Sequence, residues 1–171
     1  RQWERRLSPG SLAILDEGAG SQGEYLFGET VSGNYWEALG IGPELGRAFN
    51  QTDDEPGADP VVILGSAMWK SRFGGDPAVV GETIRLNGIA YTVVGVVPSQ
   101  NFLGFHNEIK PIVFRMSDQG SLYRIGSVRI AEGVPLAPVL AELERRWDGL
   151  IPAYPMQSKL LDETFQDVFD I

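Results

Sequence analysis

The stretch that decides the fold is TIRLNGIAYTVVGVV, which occupies residues 83–97. Two β-rich runs, 83–86 and 89–97, are joined there by Asn87 and Gly88. Both central residues of a type I′ turn need a positive φ, and the Asn-Gly pair tolerates that conformation best. The stretch therefore predicts a β-hairpin near the middle of the chain.

Shorter apolar runs on the N-terminal side of the hairpin also have the composition of strands. Residues 11–16 (SLAILD) and 24–31 (EYLFGETV) are strand candidates, and 61–64 (VVIL) predicts a buried strand. Ser66 then precedes an apolar-patterned stretch at 67–73, so it is the expected cap of a helix there.

Turn and cap signals separate these elements. Asn34 and Glu37 have the spacing of a capping box at the start of a short helix. The acidic, turn-rich stretch 44–60 indicates a surface loop, and Asp76-Pro77 favours the start of one further helical turn.

The C-terminal third predicts a strand–helix–strand unit. Residues 123–131 and 156–161 have strand composition, and 136–150 carries an apolar stripe at helical spacing. Such a unit packs its helix on one face of a sheet. Residues 1–7 and 162–171 have the pattern of further helices.

Composition excludes several classes of function. The chain has 171 residues, no cysteine, and 14 basic against 23 acidic side chains, a formal net charge of −9. A field of this sign repels nucleic-acid phosphates, and the lack of cysteine removes thiol catalysis and cysteine metal sites. No run approaches the roughly 18 apolar residues that span a bilayer. The charged start RQWERR is no signal peptide and lacks Met, which suggests a piece of a longer protein.

Residues 18–23 (GAGSQG) match the dinucleotide-binding pattern G-x-G-x-x-G. That motif requires a helix directly after the glycines, whose N-terminus holds the pyrophosphate. Residues 24–31 instead alternate like a strand, and Asp16 and Glu17 would repel a phosphate. We therefore interpret the run as a glycine-rich hairpin or loop, with no cofactor.

Other candidate sites have simpler structural explanations. The acidic cluster Asp53, Asp54, Glu55 and Asp59 could hold Ca²⁺, but it lacks the EF-hand spacing and is typical of a solvated loop. His106 is the only histidine, and Ser66 does not lie in a nucleophile elbow. We expect no catalytic residue and no metal site.

Aromatic residues offer packing or contact roles. Trp69 and Trp147 lie on apolar helical faces, which predicts core packing, whereas Trp36 has no clear assignment. The apolar run at 102–105, with Phe102, Leu103 and Phe105, is either core or an exposed contact surface for a partner.

Several ordered blocks run through residues 31–98. They read VSGNYWEALG (31–40), LGRAF (45–49), DD (53–54), PVVIL (60–64), WKSRFGGDP (69–77), VG (80–81), IRLNG (84–88) and YTVVGVVP (91–98). Together they resemble the MacB-like periplasmic core domain of ABC-transporter permeases. Residues 161–165 (LDETF) resemble, more loosely, the segment that leads towards the second transmembrane helix of such permeases.

The resemblance implies an α+β fold in two parts. A ferredoxin-like porter subdomain would be formed by residues 1–32 and 121–171, and a β-rich sabre insertion by residues 33–120. The first porter strand of the family should precede a helix like residues 1–7, and here we expect that it is either missing or was cut off.

The resemblance also implies a function. The domain would lie on the periplasmic side of the inner membrane and couple movement of the permease's own transmembrane helices to substrate export or to a periplasmic adaptor. An ABC ATPase subunit or domain would supply the energy, and the full transporter would be a dimer. The alternative is a free-standing envelope module that binds a ligand or peptide, and an enzyme that uses residues 18–23 ranks third.

Overall fold

A computed structural model describes residues 12–15, 24–99, 111–117, 126–158 and 160. In chain order the elements are β1 (Leu12–Leu15), β2 (Glu24–Thr30), α1 (Tyr35–Leu39), β3 (Leu45–Gly46), a 3₁₀ helix (Gln51–Asp54), β4 (Val61–Gly65), α2 (Ser66–Phe73), a second 3₁₀ helix (Pro77–Val79), β5 (Thr83–Leu86), β6 (Ile89–Val97), β7 (Ile112–Arg115) and α3 (Leu136–Leu150). The predicted α+β class is confirmed.

The chain divides into two compact units. Of the described residues, those up to residue 127 belong to the larger unit, and 128–158 with 160 belong to the smaller one. β1 and β2 share a sheet with the strands of the predicted sabre insertion. The porter and sabre boundaries at residues 32/33 and 120/121 stay a prediction.

The larger unit is organised by one seven-stranded sheet in the order β3-β6-β4-β7-β2-β1-β5. β5 pairs with β6 along its length and with β1 through Leu86 and Leu15, so the sheet closes on itself. β2 runs parallel to β7 and β4 runs parallel to β6, whereas the other neighbours are antiparallel.

The predicted hairpin is confirmed. β5 and β6 pair in register from Thr83 opposite Thr92 to Leu86 opposite Ile89. Asn87 and Gly88 connect them with φ of 52° and 80°, as a type I′ turn requires.

The strands predicted at 11–16, 24–31 and 61–64 are confirmed as β1, β2 and β4. β3 and β7 were missed. β3 is only two residues long, inside the stretch interpreted as a surface loop. β7 is a short apolar run after Pro111 that carries no turn signal of its own.

Both faces of the sheet are buried. Along β4, Val62 and Leu64 point into one apolar cluster, and Val61 and Ile63 into another. α2 contributes Met68 to the first cluster. The buried members of the second cluster are Val31, Trp36, Phe49, Val61, Ile63, Val94, Val97, Ile112 and Phe114. A strand with both sides covered reads as a continuous apolar run, which is the pattern of VVIL.

Two tryptophans pack in the core of the larger unit. Trp36 is 1% exposed and meets the ring of Phe114 edge to face, with ring centroids 4.7 Å apart. Trp69 packs half-buried against the first cluster, together with Phe73, and donates its Nε1 proton to the backbone oxygen of Asp76 at 2.8 Å. The core role predicted for Trp69 is confirmed.

Two predicted helix caps are wrong. Asn34 precedes α1 but its side chain makes no capping hydrogen bond, and its Oδ1 accepts instead from the Ser32 hydroxyl at 2.8 Å. Ser66 is the first residue of α2, and the Ala67 amide donates instead to Oγ of Ser99 at 2.7 Å. A cap from a distant segment leaves no local sequence signal.

The smaller unit contains α3, which confirms the helix predicted at 136–150. The predicted flanking strands are wrong for the residues described, because 126–131 and 156–158 have no strand structure. A strand needs a hydrogen-bonded neighbour, and no pairing involves either segment in the described part of the chain. Trp147 is 36% exposed, so its predicted core position is also wrong.

Candidate functional site

The predicted contact residues Phe102, Leu103 and Phe105 lie outside the described residues, as do His106 and the glycine run at 18–23. Their roles stay predictions. β2 does begin directly after the glycine run and pairs antiparallel with β1, from Leu15 opposite Glu24 onward. A strand therefore occupies the place where the dinucleotide-binding motif needs a helix.

Ser66 is a structural hydroxyl. Its side chain is in a residue only 7% exposed, and its Oγ lies 3.3 Å from Oγ of Ser99 and accepts from the Ser99 amide at 3.4 Å. These contacts join the end of β4 to the segment after β6. A buried hydroxyl held in this way is poorly placed to attack a substrate.

Asp53, from the acidic cluster, forms a salt bridge with Arg47, which is called the Arg47–Asp53 lock here. Its carboxylate accepts two hydrogen bonds from the Arg47 guanidinium, one of them 2.8 Å long, and a third from the Asn50 amide at 2.9 Å. Asn50 Oδ1 in turn accepts from the Asp53 amide at 3.1 Å, which completes a capping box. The Arg47 hydrogen bonds hold the pKa of Asp53 below its usual 3.8.

The Arg47–Asp53 lock gives one carboxylate of the acidic stretch, Asp53, a structural role. Within the described residues, no three histidine, cysteine or carboxylate side chains lie together as a metal would require. Asp54, Glu55 and Asp59 are exposed, and the lock fixes the 3₁₀ helix beside β3.

α3 presents the most distinctive surface of the described residues. None of its residues is buried, although its sequence is strongly amphipathic. A groove of ≈ 330 Å³ is lined by Pro138, Val139, Glu142, Leu143 and Arg146. Further large apolar side chains are exposed where the helix ends, with Leu150 at 81% and Tyr154 at 69%.

Two arginines share one carboxylate on this helix. Glu142 accepts from Nε and Nη2 of Arg145 at 2.8 and 2.7 Å, and from Nε of Arg146 at 2.7 Å. These hydrogen bonds lower the pKa of Glu142 from 4.5 to about 2. The spacing of Glu142 from its partners could have been read from the sequence, but the exposure of the apolar stripe beside it could not.

Comparison with known proteins decides the family. The profile of the MacB-like periplasmic core domain matches residues 7–146. The chain belongs to this family. As a MacB-like periplasmic core domain it is an extracytoplasmic domain of an ABC-transporter permease, and the resemblance seen in residues 31–98 is confirmed.

Individual relatives agree with the family. The chain is 27% identical over 143 residues to the macrolide export ATP-binding/permease protein MacB of Chlorobaculum tepidum, an alignment that covers 84% of this chain and 21% of that protein. The MacB-like domain thus spans about a fifth of the length of this curated relative.

Solved structures share the fold. The periplasmic region of MacB from Actinobacillus actinomycetemcomitans superposes with a TM-score of 0.65 at 19% identity, over 94% of this chain and 73% of that one. A domain of a permease from Porphyromonas gingivalis gives 0.50 at 17% identity, over 90% and 76% of the two chains. Among the helices described, none has the length and apolar character to cross a bilayer.

Proposed function

We propose that this MacB-like domain is a non-catalytic mechanical element. It carries movement of the permease's transmembrane helices to an exported substrate or to a periplasmic adaptor. The family match over residues 7–146 is the observation that carries the proposal. An ABC ATPase subunit or domain drives the movement, and two copies of the permease act together.

The build of the larger unit supports a mechanical role. An element that transmits force must move as a body, and a sheet that closes on itself with both faces packed resists internal deformation. The Arg47–Asp53 lock and the Ser66–Ser99 contact tie connecting segments to that sheet. Movement is then expected between the larger units of different copies, with little movement inside each larger unit.

Distance measurement in the parent permease tests the proposal directly. The domain has no cysteine of its own, so spin labels can be placed by single substitutions once other cysteines of the parent are replaced. Lys70→Cys labels an exposed position on α2. In the dimeric permease in lipid nanodiscs, the distance between the two labels should change between the nucleotide-free state and the state trapped with ATP and vanadate.

A label pair inside the larger unit is the control. Gln51→Cys with Lys70→Cys, in one copy of the domain, should give the same distance in both states. A constant distance between copies, or a change within the unit, would contradict the mechanical role. A parent gene without transmembrane helices would favour the free-standing ligand- or peptide-binding module instead.

A further inference from the structure

Arg115, at the end of β7, is the least exposed basic side chain among the described residues. It is half-buried, whereas the other arginines and the lysine that the structure describes are exposed. Arg115 is paired with Val62 of β4, and residues paired across strands point to the same face of a sheet. Val62 belongs to the first apolar cluster. Arg115 therefore lies at the margin of that cluster, where β7 ends.

The guanidinium of Arg115 has few partners for a half-buried charge. Its Nη1 donates to the Tyr91 hydroxyl at 3.4 Å, and the side chain makes no other hydrogen bond and no ion pair within the described part of the chain. Arg47, Arg145 and Arg146, in contrast, each bind a carboxylate. A guanidinium has several donor protons, so most of those on Arg115 lack an acceptor among the described residues.

The Tyr91 hydroxyl adds a second donor at the same place. Tyr91 is 6% exposed, and because its oxygen accepts from Arg115, its own proton is left to donate. Among the described residues, no acceptor lies within hydrogen-bond distance of that proton. Two donor groups thus meet without an acceptor, which is the arrangement that binds an anion.

Thr30 brings a third polar group to this end of the sheet. It is the last residue of β2 and is paired with Arg115 across neighbouring strands, which lie about 5 Å apart. Leu26, four residues earlier on β2, is buried in the first cluster, so Thr30 lies on the same face as Leu26. Its hydroxyl can donate a further hydrogen bond.

We infer that Arg115, Tyr91 and Thr30 form a binding site for a small carboxylate. The planar guanidinium of Arg115 can donate two parallel hydrogen bonds to the two carboxylate oxygens, and the Tyr91 hydroxyl can donate a third. The site gives the domain a ligand of its own. It does not depend on the mechanical role proposed above.

Charge favours a carboxylate over a phosphate. The chain has a net charge of −9, so an anion reaches the site against a repulsion that grows with the charge of the anion. A carboxylate carries a single negative charge, which one arginine neutralises, whereas a phosphate group carries about −1.5 to −2 near neutral pH. The attraction to Arg115 is also less weakened by salt than that of an exposed pair, because Arg115 is half-buried.

An NMR titration of the whole chain with acetate tests the site. Acetate replaces chloride at neutral pH and fixed ionic strength, so that general screening stays constant. The backbone amide signals of Thr30, Tyr91 and Arg115 should shift and then saturate. Arg115→Gln should weaken acetate binding about tenfold, because it removes the charge, and Tyr91→Phe about threefold, because it removes one donor.

Arg85→Gln is the matched control. Arg85 is exposed and lies between the buried residues Ile84 and Leu86 on β5, so it points to the opposite face. The variant removes the same charge from the same sheet and should leave acetate binding unchanged. Inorganic phosphate, titrated in the same way, should bind more weakly than acetate.

The inference is overturned if acetate gives no saturable shift, if Arg115→Gln binds acetate as tightly as Arg85→Gln does, or if phosphate binds more tightly than acetate. Circular dichroism shows whether each variant is folded. If Arg115→Gln does not fold, Tyr91→Phe decides the test, because it keeps the buried ring and removes only the hydroxyl. None of these results affects the ATP-dependent distance change, so the carboxylate site and the mechanical role fail separately.

Discussion

The closed sheet and α3 differ in how much of their apolar surface is covered. In β4, Val62, Ile63 and Leu64 are 0% exposed, with packed side chains on both faces. In α3 no residue is buried, and Leu150 at its end is 81% exposed.

This contrast shows that a periodic apolar stripe and a continuous apolar run tell us different things about burial. The stripe of α3 is the clearer pattern in the sequence, since it repeats at helical spacing over the whole element. The stripe shows which face of the helix must be buried, but it does not show which part of the structure buries it. VVIL has no periodicity, yet its lack of any polar face requires burial on both sides.

Truncation of a buried ring should have the largest effect. Phe114→Ala removes a side chain that is 1% exposed and packs on Trp36, so we expect a loss of about 3–5 kcal/mol in the free energy of unfolding. Urea denaturation followed by tryptophan fluorescence measures it. Leu150→Ala is the comparison in α3 and should change the value by less than about 0.5 kcal/mol.

Equal losses from Phe114→Ala and Leu150→Ala would break the distinction between the two regions. That result would mean that Leu150 is covered within a single copy. A loss from Leu150→Ala that appears only at high protein concentration would instead mean that Leu150 is covered by a second copy.

The same small substitution should have opposite signs in the two regions. A Cβ on Gly95, in β6, would overlap the backbone oxygen of Arg47 beside β3. Backbone cannot give way cheaply, so Gly95→Ala should cost about 1–3 kcal/mol. Gly149 lies within α3 with nothing near its Cβ position, and Gly149→Ala should stabilise by about 0.5–1 kcal/mol.

Thermal unfolding of both variants reads out the difference. A stabilised Gly95→Ala protein would show that β3 does not approach β6 as closely as described. A destabilised Gly149→Ala protein would show that α3 is in contact with another part of the chain at that position.

Local chemistry explains what the sequence could predict. Asn87-Gly88 requires positive φ, and Asp76-Pro77 caps its own turn, with the Asp76 side chain accepting from the Ala78 amide. Both signals lie within a few residues of the structure they specify. The hairpin, the 3₁₀ turn and the family blocks could therefore all be predicted from the sequence.

Contacts between segments that are far apart in the sequence could not be predicted. Ser99 caps a helix that begins 33 residues earlier, and β7 is a strand because β2 and β4 flank it. The opposite error occurred at 126–131, where strand composition had no partner among the described residues. The exposure of Leu150 and Tyr154 was missed as well, because an apolar pattern in the sequence does not show how much of it is covered.

The smallest effect concerns two carboxylates whose pKa values are both lowered by arginines. Asp53 sits in the lock with a side chain 9% exposed, and Glu142 lies on α3 with a side chain 45% exposed. Because both folded-state pKa values lie below the usual ones, each contribution to stability is complete above the usual pKa. It is lost as the pH falls through the folded value, from 4.5 down to about 2 for Glu142 and below 3.8 for Asp53.

Salt should change the pKa values of these two carboxylates to different extents. Raising the ionic strength from about 0.01 M to 1 M shortens the Debye length from about 30 Å to 3 Å, which screens exposed charges far more than enclosed ones. The pKa of Glu142 should therefore rise towards 4.5, whereas that of Asp53 should move much less, as carboxyl-carbon NMR titration would show. Equal shifts would mean that the lock is as open to solvent as α3.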